Sequence, residues 1–385
     1  MKLATLILVL VGCHKPPSTF ADASLTDAVI PVQEAAPDDV LADAAASLDP
    51  TPRARALYWL LRTDDLATWA PRAVYDPSPW VQRVAIDALV LRGEDGHAYL
   101  VDLATREGVE ATVRSAAALA LPPGHELPDF DDAWRTSSAP WNRAPLALAA
   151  HYHGDAEALK ATGDAVATGE LHLDLRFVEA LGSHGGSGLT DALATAQGRV
   201  EEELAVAIAA ARLMAGDDRG EGPLRDAANG DVAERLEVLD ALATLDHPSA
   251  PTLIRRARGG APELVHWYVD LLLAAREGAD PAKLTAAASE ADPEVRRLAV
   301  HAASIALRQG SASRRAARAA REVLVLALAD GDATVRQRAA RVVGELALAP
   351  AATGLQPLLA DDVPAVRLEA AGALKVMEAE AEPRP

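Results

Sequence analysis

Asp292–Ala303 reads DPEVRRLAVHAA, and forty residues later Asp332–Val343 reads DATVRQRAARVV. In each, an acidic residue is followed after two positions by Val-Arg. Small apolar residues then come four and seven positions beyond the valine. Apolar residues at i, i+4, i+7 and i+8 make one stripe of an α-helix. The aspartate three residues before the valine is placed to cap the helix N-terminus, and Pro293 fits the first turn, where its missing N–H costs nothing. Alanine within the stripe lets a second helix approach closely, so the unit is built to stack.

Anchored on the valine position, the phrase recurs at 52, 81, 113, 141, 173, 200, 234, 264, 295, 335 and 366. That is about eleven copies at a spacing near 31 residues, which leaves room in each for one further helix and two short turns. A helical hairpin of this kind cannot bury its apolar stripe alone, whereas a stack buries a continuous core. The expected fold is all-α: a right-handed α-solenoid of about eleven helical hairpins. With neighbouring helices 8–10 Å apart, an open array would be on the order of 100 Å long. The composition agrees, since half the residues are hydrophobic but only 4% are aromatic. Alanine and leucine carry that fraction, which favours close-packed helices over sheets.

The phrase DxxVRxxAxxAL at this period resembles HEAT repeats, most closely the short bacterial type named after phycobilisome-lyase subunits. The resemblance covers roughly 38–377. It implies that the Val-Arg helices line the concave side and that their Asp and Arg bond neighbouring repeats as a ladder. Carried over, Asp231–Arg235, Asp292–Arg296 and Asp332–Arg336 would be ladder pairs. Gln82 and Val265 stand where the arginine is expected, which would interrupt the ladder there. Such repeats serve scaffolds, adaptors and enzymes alike, so the resemblance speaks to fold far more than to function.

The N-terminus, MKLATLILVLVGC, has a cation at Lys2, then a short apolar run and a small residue before Cys13. The run is too short for a permanent transmembrane helix and has the build of a secretory signal. Its LVGC ending resembles a bacterial lipobox. That implies a signal peptide over 1–12, lipidation of Cys13 and a tether over 13–37. His14, where an Asp would favour inner-membrane retention, points to an outer-membrane lipoprotein of the cell envelope. Cys13 is the single cysteine, so no intrachain disulfide forms. The repeats are expected over 38–377, with a solvated tail over 378–385.

A net charge of −19 argues against nucleic acid as a partner. Chemistry finds little foothold. His125-Glu126 is a single His-Glu pair and cannot build the repeated iron site of HEAT-type oxygenases. His151, His153, His172 and His184 lie within two adjoining units and are read as separate surface histidines. GSHGGSG, residues 182–188, lacks the GK[ST] ending of a phosphate loop and follows a helix instead of a strand. No cofactor, metal or catalytic residue is assigned, and the chain is read as a non-enzymatic scaffold for another protein. The alternative is a lyase-like or cofactor-maturation component. Two regions stand out as docking candidates. One is the aromatic-rich first third, with Trp59, Trp69, Trp80, Trp134 and Trp141, whose competing explanation is packing at an end unit that lacks a neighbour. The other is the basic insertion that lengthens one repeat to 40 residues, with Arg308, Arg314, Arg315, Arg318 and Arg321.

Overall fold

A computed structural model describes residues 36–63, 66–127, 130–168, 175–199, 202–309 and 313–381. Among these every regular element is helical. The helices alternate between two sets. In chain order they are α1 (Pro37–Ala45), α2 (Pro50–Thr63), α3 (Leu66–Val74), α4 (Pro79–Leu91), α5 (Glu94–Thr105), α6 (Ala111–Ala120), α7 (Phe130–Thr136), α8 (Pro140–Tyr152), α9 (Ala158–Thr168), α10 (Leu175–His184) and α11 (Thr190–Gln197). There follow α12 (Glu202–Met214), α13 (Glu221–Ala227), α14 (Val232–Thr244), α15 (Ala250–Arg256), α16 (Glu263–Glu277), α17 (Ala282–Ala287), α18 (Pro293–Arg308), α19 (Arg314–Ala327), α20 (Ala333–Glu345), α21 (Ala352–Leu355) and α22 (Pro364–Ala381). The anchor phrase opens the even-numbered helices. Leu173 and Val200, two of its weaker matches, lie outside the described residues, as do His172 and the whole segment containing Cys13.

The helix starts follow the local chemistry. Asp292 and Asp332 accept backbone N–H groups of the turns they precede, and Asp231 forms a reciprocal capping box with Glu234. Pro50, Pro79, Pro140, Pro293 and Pro364 occupy first positions. The basic insertion makes no long loop. It is absorbed by α18, which runs on to Arg308, and by α19, which Ser313 caps. Residues 378–381, expected in the tail, instead continue α22, because its Ala-Glu sequence supports another turn.

Each even helix packs on the next, and the odd helices pack against these as the outer partners of the hairpins. The sequence of contacts does not end at α22. That helix packs against α20 on one side and against α2 and α1 on the other. One apolar core accordingly runs from Leu41 and Trp59 to Val376, with a smaller one between α8 and α12 around Leu148, Phe177 and Ile208. The expectation of an extended array with two free ends is not met, because the first and last hairpins are each other's neighbours. Glycine makes this possible. A Cβ on Gly372 would lie 2.1 Å from the Trp59 indole, and one on Gly344 would lie 2.6 Å from Ala373. Both positions are closed to any larger residue while the ends remain packed.

Candidate functional site

Side-chain contacts between successive even helices define two edges of the molecule. Arg53 at the start of α2 reaches Asp76 just before α4, Arg296 of α18 reaches Asp330 before α20, and Arg336 of α20 reaches Asp361 before α22. The even helices therefore begin along one edge. Along the other, Arg276 of α16 donates to the carbonyls of Leu242, Ala243 and Leu245 at the end of α14. There too Arg308 of α18 pairs with Glu345 of α20, and Arg92 after α4 donates to the Arg62 carbonyl.

The first set of contacts corrects the expected ladder. Asp292 and Asp332 do not pair with Arg296 and Arg336 of their own helices; they are spent on capping. Each arginine instead binds the carboxylate of the following repeat in a two-pronged contact of 2.7–3.0 Å, and also donates to carbonyls of its own preceding turn. The true acid stands two residues before the helix N-cap. It also accepts the N–H two residues on: Ser78 to Asp76, Asp332 to Asp330, Val363 to Asp361. For Asp330 and Asp361, burial pushes the carboxyl up, but the arginines outweigh it and hold each below the usual carboxylate range. Arg235 binds carbonyls instead of an acid, those of Gly230, Ala257 and Gly259. At Val265 the ladder is interrupted as expected: the adjacent His266, its Nε2 3.0 Å from the Arg258 carbonyl, reaches only its own preceding turn. Gln82 likewise donates only to the Val74 and Asp76 carbonyls that precede its own helix.

The densest polar group lies on the inner helices where the ends meet. Glu369 of α22 is buried and accepts five N–H donors. Arg55 contributes Nε at 3.0 Å and Nη2 at 2.9 Å, Arg341 contributes Nε at 3.0 Å and Nη2 at 2.7 Å, and the Trp59 indole Nε1 lies at 3.0 Å. Burial raises the Glu369 carboxyl, but Arg341 and Arg55 overcome it and leave it at about 2. It is a fixed anion. Asp87 of α4 stands nearby with a different balance. Burial raises it to about 6, and Arg176 and Arg55 only partly oppose this. Arg176 comes from α10 and lies 5.6 Å from the Trp80 ring of α4, so it links inner helices that are not successive. Tyr58 is pushed up to about 12, by burial first and by Glu345 second. Of this group, Asp87 can exchange a proton near neutral pH.

A second inner group joins α14, α16, α18 and α20. The Tyr268 hydroxyl donates to Asp240. His301 is buried near the Tyr268 ring, and neither of its ring nitrogens has a hydrogen-bond partner among the described residues. Burial, then Arg338 and Arg308, lower His301 to about 3, so it is neutral in the folded protein.

The five tryptophans of the aromatic-rich third do not form one surface. Trp59 is 0% exposed and belongs to the end-to-end contact. Trp69 and Trp134 are half-buried and covered by Arg72 and Arg135 of the same helices, at 4.7 and 4.6 Å. Trp134 also donates to Asp155. Trp80 is half-buried against Arg176. Trp141, at the start of α8, is 58% exposed. Arg314, Arg315, Arg318 and Arg321 are exposed on α19, while Arg308 is tied to Glu345. Tyr152 and His184 meet edge to face at 4.8 Å, and the His153 Nε2 lies 2.8 Å from the Ala118 carbonyl. Among the described residues no group of three or more His, Cys, Asp or Glu is arranged to hold a metal. Gly182 of GSHGGSG serves packing: a Cβ there would lie 2.8 Å from the Ala211 backbone.

The exposed apolar side chains have a pattern that sequence did not reveal. Leu48, Tyr75, Trp141, Leu175, Val232 and Val363 all sit where even helices begin, and Val325 and Leu326 lie in the last turn of α19, which feeds the same edge. Leu91 and Met214 lie at the opposite ends of their helices. No family model matches the chain, and no curated protein matches it.

Proposed function

We propose that the chain is a HEAT-like repeat scaffold, closed end to end, that binds another protein along the edge where its inner helices begin. It is held at the bacterial envelope through a lipidated Cys13 and carries out no catalysis. The observation that carries the reading is the concentration of exposed apolar side chains on that edge, with Trp141 and Tyr75 at 58% and 63% exposure. Apolar surface left outside a core that buries its other large side chains is what a docking surface requires, and aromatic residues supply most of the energy at such surfaces. The inner polar groups support a structural role, because their charges are matched among themselves across the closing contact. Among the described residues no helix is long and apolar enough to cross a membrane; in this reading the anchor is the lipid.

The test is affinity capture from envelope membranes with the full-length chain and its Trp141→Ala/Tyr75→Ala variant. A partner captured by the first and lost by the second, at unchanged melting temperature, supports the edge. A partner retained by the variant removes it. Cys13→Ser addresses the anchor separately and should shift the chain from the membrane to the soluble fraction.

A further inference from the structure

Helix α19 reverses the charge of the molecule. It carries Arg314, Arg315, Arg318 and Arg321 against one acid, Glu322, in a chain whose formal net charge is −19. Arg314, Arg318, Arg321 and Val325 recur at i, i+4, i+7 and i+11, so they form one exposed stripe along the outside of the helix. Among the described residues no ion pair involves these arginines. The stripe ends in aliphatic surface, since Val325 and Leu326 are 46% and 48% exposed. Residues 346–360 contain no charged side chain, and a shallow groove of about 320 Å³ beside Val325 is lined by Leu328, Pro357 and Leu358 together with Asp330, Arg336 and Asp361, whose charges are paired, Asp330 with Arg296 and Asp361 with Arg336.

We propose that this face rests on an anionic phospholipid surface, with the arginines at the headgroup phosphates and Val325 and Leu326 at the acyl boundary. The apolar face of α19 is buried in the core, so what it turns outward is a row of cations ending in aliphatic side chains, the composition that holds a peripheral surface against anionic headgroups. A protein partner fits less well, because the stripe offers no aromatic anchor and no deep pocket. The acidic remainder of the molecule is repelled by the same surface, so charge alone orients α19 towards it. The proposal is independent of the anchor: a lipidated Cys13 would supply proximity, whereas α19 would supply orientation.

The experiment uses the full-length chain carrying Cys13→Ser, so that no acyl chain contributes. Partition is measured by co-sedimentation with vesicles of phosphatidylglycerol and phosphatidylcholine (30:70), and with phosphatidylcholine alone. The anionic-to-neutral ratio cancels any contribution common to both vesicles. It should fall about fivefold for each arginine changed to glutamine, and by roughly three orders of magnitude for all four, at low salt. Changing all four to lysine should preserve the ratio, since a lipid surface reads charge and not the guanidinium fork. The positions are exposed, so circular dichroism should show every variant folded. A ratio near one for the starting chain, or one unmoved by the fourfold glutamine change, overturns the proposal. So does loss of the preference in the lysine variant, which would show that the contact needs the guanidinium fork and not charge alone.

Discussion

Replacing Glu369 with glutamine removes one charge from the contact that joins the two ends of the chain. The carboxylate accepts from Arg55 and Trp59 of α2 and from Arg341 of α20, five donors on two oxygens. Glutamine offers one oxygen and turns an amide N–H₂ towards the remaining donors, so Arg341 loses its carboxylate and Arg55 keeps only Glu345, at 3.9 Å. The depression of the Glu369 carboxyl from 4.5 to about 2 measures the linkage, and corresponds to about 3 kcal/mol. Breaking one side of a buried ion pair gives a similar figure, roughly 3–5 kcal/mol. The sign follows from the direction of the shift. A carboxyl depressed in the folded state contributes its stability in full above pH 4.5 and loses it as the pH falls towards 2. The difference between wild type and Glu369→Gln should thus be largest at pH 7 and about half as large at pH 3.

The loss should also be local. In a repeat array each unit is held by its neighbours, so hydrogen exchange should accelerate in α1, α2 and α22 by on the order of 10²-fold while α16 stays protected. Urea unfolding followed by exchange with mass spectrometry reads both quantities. Unchanged stability at pH 7, or acceleration spread evenly over all helices, would refute the reasoning.

Two further substitutions test the inner groups. Asp87 is raised from 3.8 to about 6, mainly by burial, so its ionisation opposes folding above pH 6 and does not below pH 3.8. Asp87→Asn should stabilise the protein by up to about 3 kcal/mol at pH 7.5 and by little at pH 4, as thermal melts at the two pH values will show. His301 is lowered from 6.5 to about 3, so wild type loses stability as the pH falls from 6.5 towards 3. His301→Leu removes two buried nitrogens that lack partners. It should raise the melting temperature at neutral pH and flatten the acid limb between pH 6 and 4; a lower melting temperature would show that the imidazole is satisfied.

The helical hairpins were legible because their cause is local. The helical period recurs from copy to copy, and several copies add a side-chain cap or a first-turn proline, so the copies report the same fold independently. The ladder was legible in kind but not in partner. The DxxVR phrase draws attention to Asp332, four residues before Arg336, while the acid that binds Arg296 is Asp330, two residues earlier in DGD and across the repeat boundary. An acid two residues before each helix cap, as in DPS and DDV, was the available signal. Closure could not be read. It depends on Trp59 and Arg55 meeting Glu369 across more than three hundred residues, and on the summed rotation of all the hairpins, which no single repeat encodes. Trp59 was for that reason weighed as a docking residue or as filler at a bare end, when it is the contact that leaves no end bare. Trp141 is exposed although the repeat spacing makes it an anchor, because it is the second residue of α8 and the buried face of that helix is taken by Ala144 and Leu148.

The central claim is that the first and last hairpins touch, and an inter-spin distance tests it directly. Lys375 of α22 and Asp38 of α1 form an ion pair at 2.8 Å. With Cys13→Ser, nitroxide labels at Asp38→Cys and Lys375→Cys should give a single short distance by pulsed dipolar spectroscopy in dilute solution. An open array of hairpins 8–10 Å apart would instead separate the labels by about 80–100 Å, and the absence of a short-distance component would contradict the account.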